Sequence, residues 1–240
     1  PAFADVLLWA EFDAATRTPV ASDPLLGAGA SHSVSALAKV HAARTVSGVA
    51  APLGVIQNYI QEPESYNYYC GPAAAMQILV GLGYWTSYYN FTDQHSQSAL
   101  ASATYLDTTT NGTDWYPAKM APALNKWTQT SYYVTTAAPS LSSIEADTVS
   151  DVDSGYSYAA DNIVETASGA AHLAGYPTTG ANVYHWQSIY GYSGSGSSLN
   201  VADPAYSSDV TWGHEAGMSA FRVVSASQMV SLVSARGIAW

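Results

Sequence analysis

The sequence predicts an α+β fold, with residues 55–240 forming one domain behind an N-terminal extension of residues 1–54. Three observations predict it. Patterns with helical spacing come first and strand-like runs cluster later, so the order is not the alternating βαβ of a parallel sheet. Hydrophobic residues make up 48% of the chain, enough for a sizeable core. No internal repeat interrupts this layout.

The elements follow in order. Residues 33–44 read as a short helix, with Val34, Leu37 and Val40 at helical spacing. Residues 45–53 are small and punctuated by Pro and Gly, which marks a linker. The spacing predicts a helix over 71–82, with Pro72 suited to its first turn and Gly83 just past its end. A second domain helix is expected over 114–127, where Trp115, Met120, Leu124 and Trp127 share one face. A third spans 140–152, its start in Ser142-Ser143-Ile144-Glu145 resembling a capping arrangement, with Gly155 ending it. Strands are expected over 156–164, 182–192, 199–202 and 220–224. The flexible run 193–197 suits an antiparallel hairpin between the middle two. A helix over 227–236 is expected to end the chain.

Composition narrows the function. Seven Lys and Arg stand against 18 Asp and Glu, for a formal net charge of −11. That balance argues against nucleic acid and anionic membranes as partners, and no apolar run is long enough to span a bilayer. One cysteine excludes an internal disulfide framework and Cys-rich zinc sites. The acidic, lysine-poor, Tyr-rich composition is common in secreted microbial enzymes. The chain opens at Pro1, consistent with an export signal already removed, so an extracytoplasmic location is expected. Residues 1–54 carry Arg17, Lys39 and Arg44 and read either as ordinary packed structure or as a propeptide or its remnant. Asn90-Phe91-Thr92 and Asn111-Gly112-Thr113 match the glycosylation sequon.

The chemistry centres on Cys70, in Tyr69-Cys70-Gly71-Pro72, at the mouth of the first domain helix. The helix N-terminus is expected to lower the thiol pKa. A cysteine nucleophile needs a base, a group to orient that base, and oxyanion donors. His185 lies in an aromatic-rich strand, a rigid platform for a base. Asp203 follows the next strand, and the hairpin returns it toward His185; Asn200 is the alternative orienting group. Gln61 offers a side-chain amide for the oxyanion, with Gln57 as alternative. His95 and the pair His214-Glu215 have no second ligand at helical spacing, so no metal or cofactor is expected. Residues 107–114 hold oxygen ligands and a Gly turn but lack the terminal Glu of a calcium loop, and read as a turn capping the next helix.

Gln61, Tyr69-Cys70-Gly71-Pro72-Ala73, His185 with Gly191-Tyr192, and Val201-Ala202-Asp203-Pro204 together resemble the papain-like cysteine peptidases related to the bacteriocin-leader (double-glycine) peptidases. Gly112-Thr113 and Leu124-Asn125 fall where such sequences often carry Gly-Thr and Leu-Asn. The resemblance covers 55–240. It implies a papain-like fold, Cys70 as nucleophile, His185 as base and acid, Asp203 as orienter, Gln61 as oxyanion donor, and a peptide or protein substrate. The chain departs from the simplest pattern in that Gln61 stands nine positions before Cys70. Phytochelatin-synthase-like transpeptidases share a similar order of residues, so acyl transfer is one alternative; a non-catalytic module binding peptide or glycan is another.

Overall fold

The computed structural model describes residues 53–165, 169–178, 182–212 and 218–240. The expected helix over 33–44, most of the linker and His214-Glu215 lie outside the described residues. In chain order the elements are β1 (Gly54–Val55), α1 (Cys70–Gly81), α2 (Gln97–Ala101), α3 (Met120–Thr128), β2 (Thr135–Ala137), α4 (Leu141–Asp153), β3 (Tyr158–Val164), β4 (Val183–Ser193), β5 (Ser198–Ala202), β6 (Phe221–Ser225), α5 (Ala226–Val233) and β7 (Gly237–Ala239). The seven strands form one antiparallel sheet in the order β2-β7-β3-β4-β5-β6. β1 pairs with the end of β4 at Gly54 opposite Tyr192. The expected α+β layout holds. Among the described residues, no helix is long and apolar enough to cross a membrane.

The alternation of side chains along strands gives the sheet two buried faces. Ala159 and Ala239 join Trp186 in a core with α1 and α3, contributed by Ile78, Leu79, Leu124 and Trp127. Their neighbours Tyr158, Ala160, Ile238 and Trp240 turn the other way. There they meet Ile144 of α4 and Met229, Leu232 and Val233 of α5. β4, at the middle of the sheet, therefore touches both cores. Its register with β5 shifts between Ile189 and Gly191, and Gly191 is required there. A Cβ on it would stand 2.7 Å from Asn200 Nδ2 and 2.9 Å from Gly54 O.

Most expected elements are present, with shifted ends. Ser140 rather than Ser142 caps α4, its hydroxyl accepting from the Ser143 N–H at 3.1 Å. Gly83 and Gly155 follow their helices with φ of 80° and 85°, as punctuation predicts. Residues 193–197 do join an antiparallel hairpin. Two expectations are corrected. The helix over 114–127 begins only at Met120, because Pro117 disfavours helical geometry at the residue before it. The terminal helix stops at Val233, and the chain ends instead in β7, between β2 and β3. Gly237 makes that insertion fit: a Cβ would lie 2.0 Å from Thr136 O.

α1 is positioned by small residues. Ala73, Ala74 and Ala75 are wholly buried. Gln77 accepts a hydrogen bond from Ser188 of β4 and donates to Glu62 O at 3.3 Å. Gly71 packs on Thr113 so closely that a Cβ would stand 2.2 Å from Oγ1 and 2.5 Å from Cβ of that threonine. Thr113 is itself held by Thr108 through their hydroxyls at 2.7 Å. Gly71→Ala is therefore expected to wedge α1 from Thr113 and destabilise by about 1–3 kcal/mol, read as a lower denaturant midpoint with unchanged m.

α4 carries two buried carboxyls one turn apart. Burial raises Asp147 to about 7. Burial, with the Asp147 charge, raises Asp151 well above the carboxylate range, although Tyr132 donates to it at 2.7 Å. Asp161 of β3 is raised to about 7 by burial against the pull of Arg236 at 3.0 Å. A carboxyl whose pKa is higher folded than unfolded makes the native state bind more protons, so stability falls as pH rises. The window runs from the ordinary 3.8 to about 7 for Asp147 and Asp161. The melting temperature is expected to be lower at about pH 8 than at about pH 5, with Asp147→Asn flattening the slope; a flat wild-type profile would contradict the assignment.

Candidate active site

Cys70 is the first residue of α1 and 7% exposed. The N–H groups of Cys70 and Gly71 lead the helix and have no intrahelical acceptor. Pro72 has no N–H to satisfy, and Ala73 closes the first turn on Tyr69 O at 2.9 Å. The thiol thus sits beside N–H groups that the helix itself does not use and the positive end of the helix.

His185 lies near the start of β4 and is completely buried. Ser188 pairs with Ala202, which puts Asp203 opposite Gln187 and on the same face as His185. The imidazole and carboxylate meet there, with Nε2 2.9 Å from Asp203 Oδ1. Asp203 also accepts from Tyr176 Oη at 3.1 and 3.0 Å and from the Ala205 N–H at 3.0 Å, and pairs with Arg222 Nη2 at 2.9 Å. Behind it, Asn162 donates to Gln187 at 2.6 Å and Gln187 donates to Tyr176 Oη at 3.2 Å. The rings of Tyr176 and Trp212 stand edge-on to His185 at 5.8 and 5.7 Å. With Nε2 engaged by Asp203, Nδ1 is left for the sulfur.

The two halves of the site are stapled together by backbone. The segment before Cys70 is bonded to the loop after β5: Glu64 N–H to Pro204 O at 2.9 Å, Ser207 Oγ to Glu64 O at 2.6 Å, and Thr211 N–H to Asn67 Oδ1 at 2.6 Å. Gln61 belongs to this staple. Its Nε2 donates to the carbonyls of Asp203 at 2.9 Å and Tyr206 at 3.4 Å, and these contacts lend no support to the oxyanion role expected of it. Gln57 is exposed and donates to Val55 O at 3.4 Å. Asn200 pairs with Gly191, six residues along β4 from His185 and so about 20 Å away. Asp203 is the group that meets the ring.

The electrostatics follow from burial. Burial alone would depress His185, but Asp203 and the Cys70 thiol outweigh it and push the imidazole up to about 10. Burial alone would raise Asp203, yet His185, Arg222 and the Ala205 N–H hold it below the usual carboxylate range. Burial pushes the Cys70 thiol up; His185 opposes that and the Glu64 charge adds to it. The helix mouth therefore does not by itself set the thiol's acidity, as the sequence led one to expect. The partner imidazole draws the thiol back down, against burial.

Beside the thiol lies a cleft of about 100 Å³ lined by Cys70, Gly112, Thr113, Asp161, Trp186 and Arg236. Trp186 Nε1 donates to Thr113 O at 3.0 Å and closes one wall. The acidic loop at 107–114 is a turn whose carboxylates face Lys119, 3.0 Å from Asp107 and 3.9 Å from Asp114. Among the described residues no group of three metal-ligating side chains assembles.

Sequence reasoning missed Glu64, Tyr176, Arg222 and Trp212. Arg222 carried a faint signal, a cation inside a strand of Phe, Val and Val. Tyr176 is one of 18 tyrosines and carried none.

No curated protein matches the chain. The model of the Peptidase_C39 like family matches residues 55–224, most of the chain, a span that includes Cys70, His185 and Asp203. An α+β, papain-like arrangement of a cysteine-headed helix against an antiparallel sheet accords with that match, and the protein belongs to the Peptidase_C39 like family.

Proposed function

We propose that this protein is a cysteine peptidase that hydrolyses peptide amide bonds through Cys70, His185 and Asp203. The observation that carries the reading is a fully buried imidazole with a carboxylate 2.9 Å from one nitrogen and a thiol from the first residue of a helix beside the ring. His185 takes the thiol proton, and Asp203 fixes the tautomer and stabilises the imidazolium. The thiolate attacks the scissile carbonyl carbon, and the π electrons move to oxygen. The Cys70 N–H donates to that oxyanion. Collapse breaks the C–N bond, and His185 gives its proton to the leaving amine. Water then loses a proton to His185 and attacks the thioester; the C–S bond breaks, freeing the acid and the thiol.

Gln61 enters this scheme as a positioning residue that ties the Asp203 loop to the chain approaching Cys70. The substrate is a peptide or protein in the cleft beside Trp186. An acidic, lysine-poor chain fits work outside the cell.

Cys70→Ser is expected to abolish cleavage of a mixed peptide library, read by mass spectrometry, with the melting temperature nearly unchanged because the volume change is small. Iodoacetamide should label the wild type once and the variant not at all. Cleavage by the variant, or an unreactive Cys70, would overturn the reading. Glutathione or an amine added to the same assay separates hydrolysis from acyl transfer. The family match starts at residue 55, and residues 1–54 are read as an inhibitory extension. Cutting within 44–53 should raise the rate, whereas equal rates before and after would remove that role.

A further inference from the structure

Glu64 is 1% exposed, six residues before Cys70. Its backbone is clamped from both sides by Pro204 and Ser207, so the side chain is aimed inward and held there. Oε1 stands 3.6 Å from His185 Nδ1. Neither carboxyl oxygen has a hydrogen-bond partner among the described residues. The nearby Tyr69 N–H, which draws its pKa down slightly, is itself bonded to Tyr66 O at 3.0 Å. Buried polar groups are almost always paired, and an orphan of this kind marks a place where a partner arrives.

The charged and titratable groups facing it are Cys70 from α1, His185 from β4, and Asp203 and Tyr176 behind the ring, with Arg222 beyond Asp203. In this setting the two forms of the carboxyl act oppositely. An ionised Glu64 attracts the Nδ1 proton of the imidazolium, disfavours the thiolate and repels an oxyanion. A neutral Glu64 releases the ring and presents one O–H donor to the space beside the sulfur.

Resting on the cysteine-peptidase reading, we propose that Glu64 in its neutral form is the side-chain oxyanion donor, paired with the Cys70 N–H, and that its ionisation switches the site off. No proton is transferred: the O–H stays on Glu64 while charge develops on the substrate oxygen and recedes when the carbonyl re-forms. A carboxyl kept neutral by its surroundings can donate in this way. Burial and the Asp203 charge, opposed by His185, bring Glu64 up to about 7, so the switch falls in the neutral range and the active form is the acid side.

The test compares wild type, Glu64→Gln and Glu64→Ala on one peptide from the library assay. Wild-type kcat/KM is expected to fall up to tenfold per pH unit above about pH 7. Glu64→Gln keeps an uncharged donor, so it should stay active and lose that fall. Glu64→Ala should lose about 10²–10³-fold in kcat at every pH, while remaining folded and alkylated by iodoacetamide. Alkylation at pH 8 should be faster in Glu64→Gln than in wild type, a readout that needs no substrate. An alkaline fall unchanged in Glu64→Gln, equal alkylation rates, or wild-type kcat in Glu64→Ala would overturn the role of Glu64 alone. A wild type that cleaves nothing and leaves Cys70 unlabelled would overturn the peptidase reading, and this proposal with it.

Discussion

The structure depends on one constraint: an imidazole and a carboxylate that carry charge with no exposure to water. Both His185 and Asp203 are wholly buried. Desolvating such a pair costs several kcal/mol per ion unless geometry and further hydrogen bonds offset it. The neighbourhood is organised to do so. Asp203 accepts from a ring nitrogen, a tyrosine hydroxyl and a backbone N–H, and faces a guanidinium. Arg222 is itself tied to Ala174 O at 2.9 Å, so the cation that stabilises the carboxylate is not free to leave. Asn162, Gln187 and Tyr176 extend the network across β3 and β4. A buried polar chain of this length is stabilising only when its members are satisfied; among the described residues Glu64 at its edge has neither carboxyl oxygen hydrogen-bonded, and His185 Nδ1, which faces it, has no hydrogen-bond partner either.

The topology delivers this pair by register. A hairpin between β4 and β5 places the residue just past β5 on the face that His185 occupies. A slip of one position would turn Asp203 to the opposite face, and the bulge between Ile189 and Gly191 is part of what sets the count. Cys70 is packed in the helical core and the Tyr176 beside His185 in the other. The thiol and imidazole therefore meet only where the two cores adjoin, and the bonds from Glu64 and Asn67 to the 204–211 loop hold that seam closed.

Much of this was legible in the sequence, for local reasons. Pro72 and Gly83 bracket α1 because a helix tolerates proline only at its start and favours glycine just past its end. The Gly-Ser run between β4 and β5 announces a hairpin, and Asp-Pro after β5 announces a stop. What was not legible depends on distant partners. β7 is three residues long and is a strand only because β2 and β3 flank it. Gln61 and Glu64 have similar local surroundings in the sequence, and only the fold decides that one bonds a loop carbonyl while the other faces the ring. The thiol's acidity was misjudged for the same reason: a helix N-terminus is a local signal, whereas burial is a property of the whole packing.

Cys70 and His185 stand more than a hundred residues apart, and no single helix or hairpin holds both. A growing polypeptide emerging from the ribosome thus carries a thiol with no imidazole to receive its proton. On the proposed peptidase reading, reactivity would arise only once the segments around Cys70 and His185 have folded together, which would spare the synthesising cell from a nucleophile switched on in half-made molecules.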